Sequence, residues 1–340
     1  MTQKKQTQKI AFLAQIRAKA RAKIQYREVR NYGFNIIIKQ YARFPQFLPL
    51  PCHMEHGWTA LPEALKSGLQ TSKPLVMVFN KRRLQSWRQK SGLPIVVMGS
   101  PFIHYKNMRK IKKAKDARGT IVFPSHSTYD IKSHFSITEY CQKLKNLPAI
   151  YHPITICLFW LDFIDPSVEI YRKNGFTVTT AGPKLTNSLD FVKKFYQLLS
   201  DHKFATSNEI GSYTFYAVDL GVPFFLTGAS PILFNQQGRD LNIGKTSKMS
   251  EYPIGRKAIE LFDTGPIERI STRQLRFVQT EMGVNDHLSR KQMNQLLWQH
   301  YSRNSYWLKA FIPYLFSSFV VLLIFNGPWI KLLINARKKL

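Results

Sequence analysis

Three short stretches of this chain carry residue types that suit one kind of chemistry, the binding of a phosphate. The first is TSNEIGSY, Thr206 to Tyr213. Thr206, Ser207 and Asn208 are the types that cap helix N-termini, because their side chains accept the first free backbone N–H groups. Gly211 and Ser212 leave the first helical turn bare of bulk, and Glu209 is an acidic residue in the same turn. A strand that runs into such a helix start gathers several N–H groups and the positive end of the helix dipole around one point. The second stretch holds Ser125, His126 and Ser127, and the third Thr180, Ala181 and Gly182. Hydroxyls and an imidazole suit a phosphate, and a small Ala-Gly turn leaves room for a nucleoside. An ordinary βαβ corner with a well-capped helix shares much of this pattern.

Acid–base chemistry has a separate candidate in CHMEHGW, Cys52 to Trp58. Glu55 or His56 could accept a proton near neutral pH if its surroundings tune it, and the sequence does not choose between them. His53 and His56 form an HxxH pair, but with no further partner this is weak as a metal site, and no metal is assigned. MGSPFIHY, Met98 to Tyr105, is a second loop that could reach a cleft. Ser125, Ser127 and Asp130 near His126 suggest a hydrolase triad, yet the chain has no GxSxG elbow.

These loops need strands to position them. Ile36 to Ile38, Leu75 to Phe79 and Ile95 to Met98 are short apolar runs that suit buried parallel strands. A basic run, residues 106 to 118, separates them from a more regular alternation. Strands are expected at Thr120 to Phe123, Ile154 to Phe159, Phe176 to Thr179 and Phe204 to Ala205, with another at Phe224 to Leu226. Helices are expected at Ile137 to Leu144, Pro166 to Lys173, Asp190 to Leu199 and after Gly211. That pattern means βαβ units and a parallel sheet, with ligands at the carboxyl ends of the strands. GxGxxG is missing, which disfavours a dinucleotide cofactor. Residues 236 to 256 read as a loop, and Ser289 to Gln292 as a capping box opening a helix to about His300.

With 340 residues and a net charge of +30, the chain has room for sizeable cores and a surface that seeks polyanions: anionic lipid, nucleic acid or a phosphate-bearing substrate. Nucleic acid is disfavoured, since no RRM, helix-turn-helix or zinc-knuckle pattern is present. The three cysteines are scattered, which fits a reducing compartment. Residues 8 to 30 read as a basic amphipathic helix suited either to a membrane surface or to packing on the domain. Ala310 to Ile330 is free of charge but broken by Pro313, Asn326, Gly327 and Pro328, with basic flanks on both sides. That favours a tilted or re-entrant anchor at the cytoplasmic face over a full span.

The succession MEHGW, MGSPF, IVFPSHST, HPITICLFWLDF, YRKNGFTVTTAG and TSNEIGSYTFYAVDLGVP, covering roughly residues 50 to 230, resembles bacterial surface-polysaccharide glycosyltransferases of the GT-B type. The resemblance implies an α/β fold with two Rossmann-like domains facing across a cleft. It implies metal-independent chemistry with a nucleotide-sugar as co-substrate and no bound cofactor. The expected organisation is a basic amphipathic helix (1–30), an acceptor-side α/β domain (31–118) and a nucleotide-sugar domain (119–232). Loops and helices packing back (233–305) and a hydrophobic, membrane-associated tail (306–340) complete it. The expected activity is sugar transfer from the donor to a lipid-linked or growing surface glycan. A CDP-glycerol-type glycerophosphotransferase and a non-catalytic binder of anionic polymer are the alternatives. Glu55 and His56 are the expected proton acceptors. The expected donor residues are Ser125, His126, Ser127, Thr180, Gly182, Ser207, Asn208, Glu209, Gly211, Ser212 and Tyr213.

Overall fold

The computed structural model describes residues 31–64, 69, 71, 73–128, 131–183, 188–235 and 246–303. The helix expected at 8–30 and the apolar segment 310–330 lie outside the described residues. Among the described residues no helix is long and apolar enough to cross a membrane.

The described chain opens with a turn, Asn31–Gly33, and a helix, α1 (Phe34–Ala42). The strand expected at Ile36 to Ile38 is therefore helical. Phe34, Ile37, Ile38, Tyr41 and Ala42 are its buried apolar positions, and that i, i+3, i+4, i+7, i+8 spacing places them on one helix face, overriding the strand preference of three consecutive isoleucines. β1 (Cys52–Met54), β2 (Leu75–Val78) and β3 (Ile95–Val97) then form a parallel three-stranded sheet in the order β1-β2-β3. α2 (Lys81–Arg88) starts at Asn80, whose side chain accepts the Arg83 N–H. α3 (Pro101–Arg109) starts with proline at its first turn, where no N–H is needed.

Past the basic run the chain builds a second parallel sheet. Its sequence of elements is β4 (Thr120–Val122), β5 (Ile131–His134), α4 (Ile137–Lys145), β6 (Ile154–Leu158), α5 (Trp160–Phe163), α6 (Val168–Lys173), β7 (Thr177–Thr180), α7 (Asp190–Ser200), β8 (Phe204–Ser207), α8 (Ser212–Asp219) and β9 (Phe224–Leu226). The strand order is β7-β6-β4-β8-β9, all parallel. β4, β8 and β9 are buried at every position, as a sheet covered on both faces requires. β5 leaves this sheet and pairs with β10 (Ile232–Asn235), which pairs with β11 (Thr246–Ser247), in an antiparallel arm the sequence reading did not anticipate.

α9 (Pro253–Phe262), α10 (Thr272–Glu281) and α11 (Arg290–Arg303) complete the described chain. α9 begins inside the expected 236–256 loop, because Pro253 can open a helix and Ala258, Leu261 and Phe262 bury one side of it. The Ser289 capping box stands as expected: the Ser289 hydroxyl accepts the Gln292 N–H at 3.3 Å and the Gln292 side chain accepts the Ser289 N–H at 2.9 Å. α10 packs on α8 and α11 on α1. One apolar cluster joins both parallel sheets, from Phe34 and Met77 through Phe102 and Phe123 to Phe215, Phe277 and Met293. A second covers the other face of the five-stranded sheet around Tyr140, Ile156 and Phe225.

Candidate functional site

The order of the five-stranded sheet reverses between β4 and β8. The chain builds outward from β4 to β6 and β7, then returns to add β8 and β9 on the other side. Loops leaving two such neighbouring strands diverge, and the crevice between them is where open parallel sheets bind ligands. Here the two loops are locked to each other. The Ser125 N–H donates to Asn208 Oδ1 at 2.8 Å, and the Ser125 hydroxyl donates to Glu209 Oε2 at 2.6 Å. Ser133 of β5 bonds the same hydroxyl at 2.8 Å, and its N–H reaches Ser127 Oγ at 3.2 Å. The antiparallel arm thus fixes the Ser125–Ser127 loop. Burial pushes the Glu209 carboxyl up, and the bond from Ser125 works partly against that.

The cap of the following helix differs from expectation. Thr206 and Ser207 do not cap it, because β8 runs two residues further than expected, pairing them with Phe225 and Leu226 of β9. The Thr206 hydroxyl donates to the Phe225 carbonyl at 2.7 Å. Ser207 Oγ accepts the Glu209 N–H at 3.0 Å and bonds the Tyr213 hydroxyl at 2.9 Å. Gly211 is the N-cap residue, and its N–H donates to Thr214 Oγ1 at 3.3 Å. Thr180 ends β7, and its hydroxyl accepts the Gly182 N–H at 3.1 Å. Gly182 takes a φ of +91°, which only glycine adopts without strain, in open surroundings.

A cavity of about 240 Å³ opens beside this crevice. Strand ends supply part of its wall, with Phe123 after β4, Leu158 in β6 and Ala181 after β7. Tyr32, Phe34 and Phe102 close it from the N-terminal elements, and His56, Gly57, His126 and Ser212 also line it. Ser212 joins the halves of this wall: its hydroxyl accepts the Trp58 N–H at 2.9 Å. Gly57 sits at φ +73°, and a Cβ there would come within 3.2 Å of Ser212 Oγ. The loop is held from the far side by Glu281 of α10. That carboxylate accepts the Trp58 indole N–H at 2.8 Å and the Arg82 guanidinium at 2.7 Å, and its backbone carbonyl accepts from Asn80 at 2.6 Å.

The structure separates the two acid–base candidates. Glu55 is buried, paired with Arg83 at 2.5 Å and bonded by the Trp87 indole N–H at 2.6 Å. Its carboxylate holds β1 to α2 and is not part of the cavity wall, whereas His56 is. His53 packs near the Trp87 ring at 5.6 Å, and burial pulls its imidazole down to about 4. Among the described residues no three His, Cys, Asp or Glu side chains gather as a metal-ligand group. In MGSPFIHY, Ser100 donates to the Tyr216 hydroxyl at 3.1 Å and His104 bonds the Met98 carbonyl at 2.6 Å, so both serve packing.

Asp162, on the short helix α5 after β6, is the residue sequence reading missed. Burial pushes its carboxyl up to about 6; a bond from the Ser127 backbone opposes that, and Asp165 nearby adds to it. The signal was present as a lone acid in the apolar run CLFWLDF. The His126 and Phe159 rings lie 4.6 Å apart next to it. The wall thus brings a helix start, a hydroxyl and two imidazoles together with aromatic rings. An anion with an attached apolar or flat group fits that combination.

No protein-family model matches the sequence, and no curated protein matches it. Among solved structures, the chain is similar to the wall teichoic acid polymerase TagF at 13% identity and a TM-score of 0.27, over 45% of this chain and 39% of that one. It is also similar to S. aureus MnaA in a co-structure with UDP, at 12% identity and a TM-score of 0.37, over 82% of this chain and 79% of that one. The chain thus spans about two fifths of the TagF chain. Likenesses this distant carry no argument about what the protein does.

Proposed function

We propose that the protein is a glycosyltransferase that moves a sugar from a nucleotide-activated donor to a lipid-linked or growing cell-surface glycan at the cytoplasmic face of a membrane. The observation that carries this reading is the interlocked pair of loops at the strand-order reversal, Ser125 with Asn208 and Glu209, beside the start of α8, where the Tyr213 ring covers Gly211 and the turn is not bare of bulk as expected. In this reading the donor phosphates lie against the first amides of α8 with Ser212 and His126. Charge developing on the leaving nucleotide is met by groups already oriented toward it. Thr180 and Gly182 border the nucleoside, and Glu209 is the acidic group nearest its ribose. His56 accepts the proton of the acceptor hydroxyl as its oxygen bonds to the sugar carbon and the carbon–phosphate-oxygen bond breaks. No metal ion or resident cofactor has a part in these steps.

Incubating the full-length protein with a panel of UDP-, GDP- and CMP-sugars and with CDP-glycerol, and measuring nucleotide release, tests the reading. Release from one sugar donor is the expected result. Release of CMP from CDP-glycerol alone would replace sugar transfer by glycerophosphate transfer, and release from none would overturn both.

A further inference from the structure

The cavity beside the crevice is lined by nine phenylalanine and tyrosine side chains, with Pro124, Leu158 and Ala181 among the rest of its wall. Three polar groups of that wall are already engaged within the fold. The Tyr213 hydroxyl bonds Ser207 and donates to the Glu209 carbonyl at 3.1 Å. The Tyr216 hydroxyl accepts from Ser100, and the Cys157 thiol is bonded by the Ala181 backbone. A nucleobase taken out of water needs partners for its polar edge, and leaving one unpaired costs more than stacking returns. An alkyl chain needs none.

From these walls we infer that the cavity takes the apolar chain of a lipid phosphate, the acceptor class of the proposed transfer, with its anionic head toward His56. The inference rests on the transferase reading for the identity of the ligand as acceptor, but the chain-binding property stands apart from it. The net charge of +30 draws such a head, and Tyr32 and Phe34 place the cavity where the basic segment 1–30 joins the described chain.

A series of n-alkyl phosphates from four to ten carbons, each below its micelle concentration, tests this by calorimetry on the full-length protein. Affinity should rise roughly fourfold per added methylene until the cavity is filled. Leu158→Phe, which narrows the cavity, should end the rise at a shorter chain. Phe191→Ala, which widens it, should move the end to a longer one. Thermal stabilisation by free nucleotides should persist in both. A flat response to chain length would overturn the inference, as would an unchanged chain series in both folded variants. Loss of nucleotide binding in Leu158→Phe with chain binding retained would make the cavity a nucleoside pocket. A protein that binds chains but no nucleotide would sink the transferase reading alone.

Discussion

His56 and Glu55 are adjacent in sequence, yet His56 lines the cavity and Glu55 does not. Glu55 sits in a buried ion pair with Arg83 and accepts the Trp87 indole N–H. Removing one partner of such a pair leaves an uncompensated buried charge, at a cost of about 3–5 kcal/mol. Glu55→Gln should therefore lower the melting temperature while the folded fraction keeps its turnover. His56→Ala should leave stability nearly unchanged and reduce turnover ~10²–10⁴-fold with nucleotide binding retained. Loss of turnover in Glu55→Gln at unaltered melting temperature would reverse the two roles. Asp162 gives a pH-dependent counterpart. Its carboxyl titrates near 6 in the fold against an ordinary 3.8, so between those values the folded state holds more protons than the unfolded one. Stability from this group then falls as pH rises from about 4 to 6, and the penalty is complete above that window. Asp162→Asn keeps an oxygen for the Ser127 N–H and removes the charge. Its melting temperature should exceed that of the parent at pH 8 and match it near pH 4; equal values at both pH would show that the site does not disfavour the ionised form.

Elements show how much was legible beforehand. The strands of the five-stranded sheet and the helices between them follow from uninterrupted apolar runs separated by amphipathic periods, and they stand within a residue or two of expectation. α1 was misread because Ile36, Ile37 and Ile38 satisfy a buried strand as well as a helix; Phe34, Tyr41 and Ala42 decide it, and only a longer window includes them. The end of β8 was misread because Thr206 and Ser207 are cap-forming types whose hydroxyls find sheet partners instead. The reach of α10 into the site was invisible, since it joins residues 199 to 223 positions apart. Glu281 takes bonds from Trp58 and Arg82, and Asn80 bonds its carbonyl. Glu281→Ala should cost about 3–5 kcal/mol by taking the carboxylate from the Trp58 indole and the Arg82 guanidinium. Hydrogen exchange should quicken first at residues 55–60, because the His56–Trp58 loop loses its outer support. Exchange that quickens only within α10 would show that the loop is held by other contacts.

At the scale of the whole molecule, charge and apolar surface act together. In the proposed membrane attachment, the net charge of +30 would attract anionic lipid at about 1 kcal/mol per well-placed lysine or arginine, and the apolar segment 310–330 would add a contribution that salt does not screen. Truncation after Lys309 should leave binding to anionic vesicles at low salt and abolish it at 1 M, where the screening length is ~3 Å. The full-length protein should stay bound at both; release of the full-length protein at high salt would leave electrostatics as the whole attachment. The central claim, however, is that the crevice at the strand-order reversal receives a nucleotide. Thermal stabilisation by UDP, GDP and CMP, measured on the parent and on Ser212→Asp, addresses it most directly. An aspartate at 212 can still accept the Trp58 N–H, so the fold persists, but its charge occupies the place proposed for a phosphate. The account predicts that at least one nucleotide stabilises the parent by about 2.7 kcal/mol at a hundred times its dissociation constant, and that Ser212→Asp loses this response. A parent indifferent to all three nucleotides, or a folded Ser212→Asp protein that responds undiminished, would contradict it.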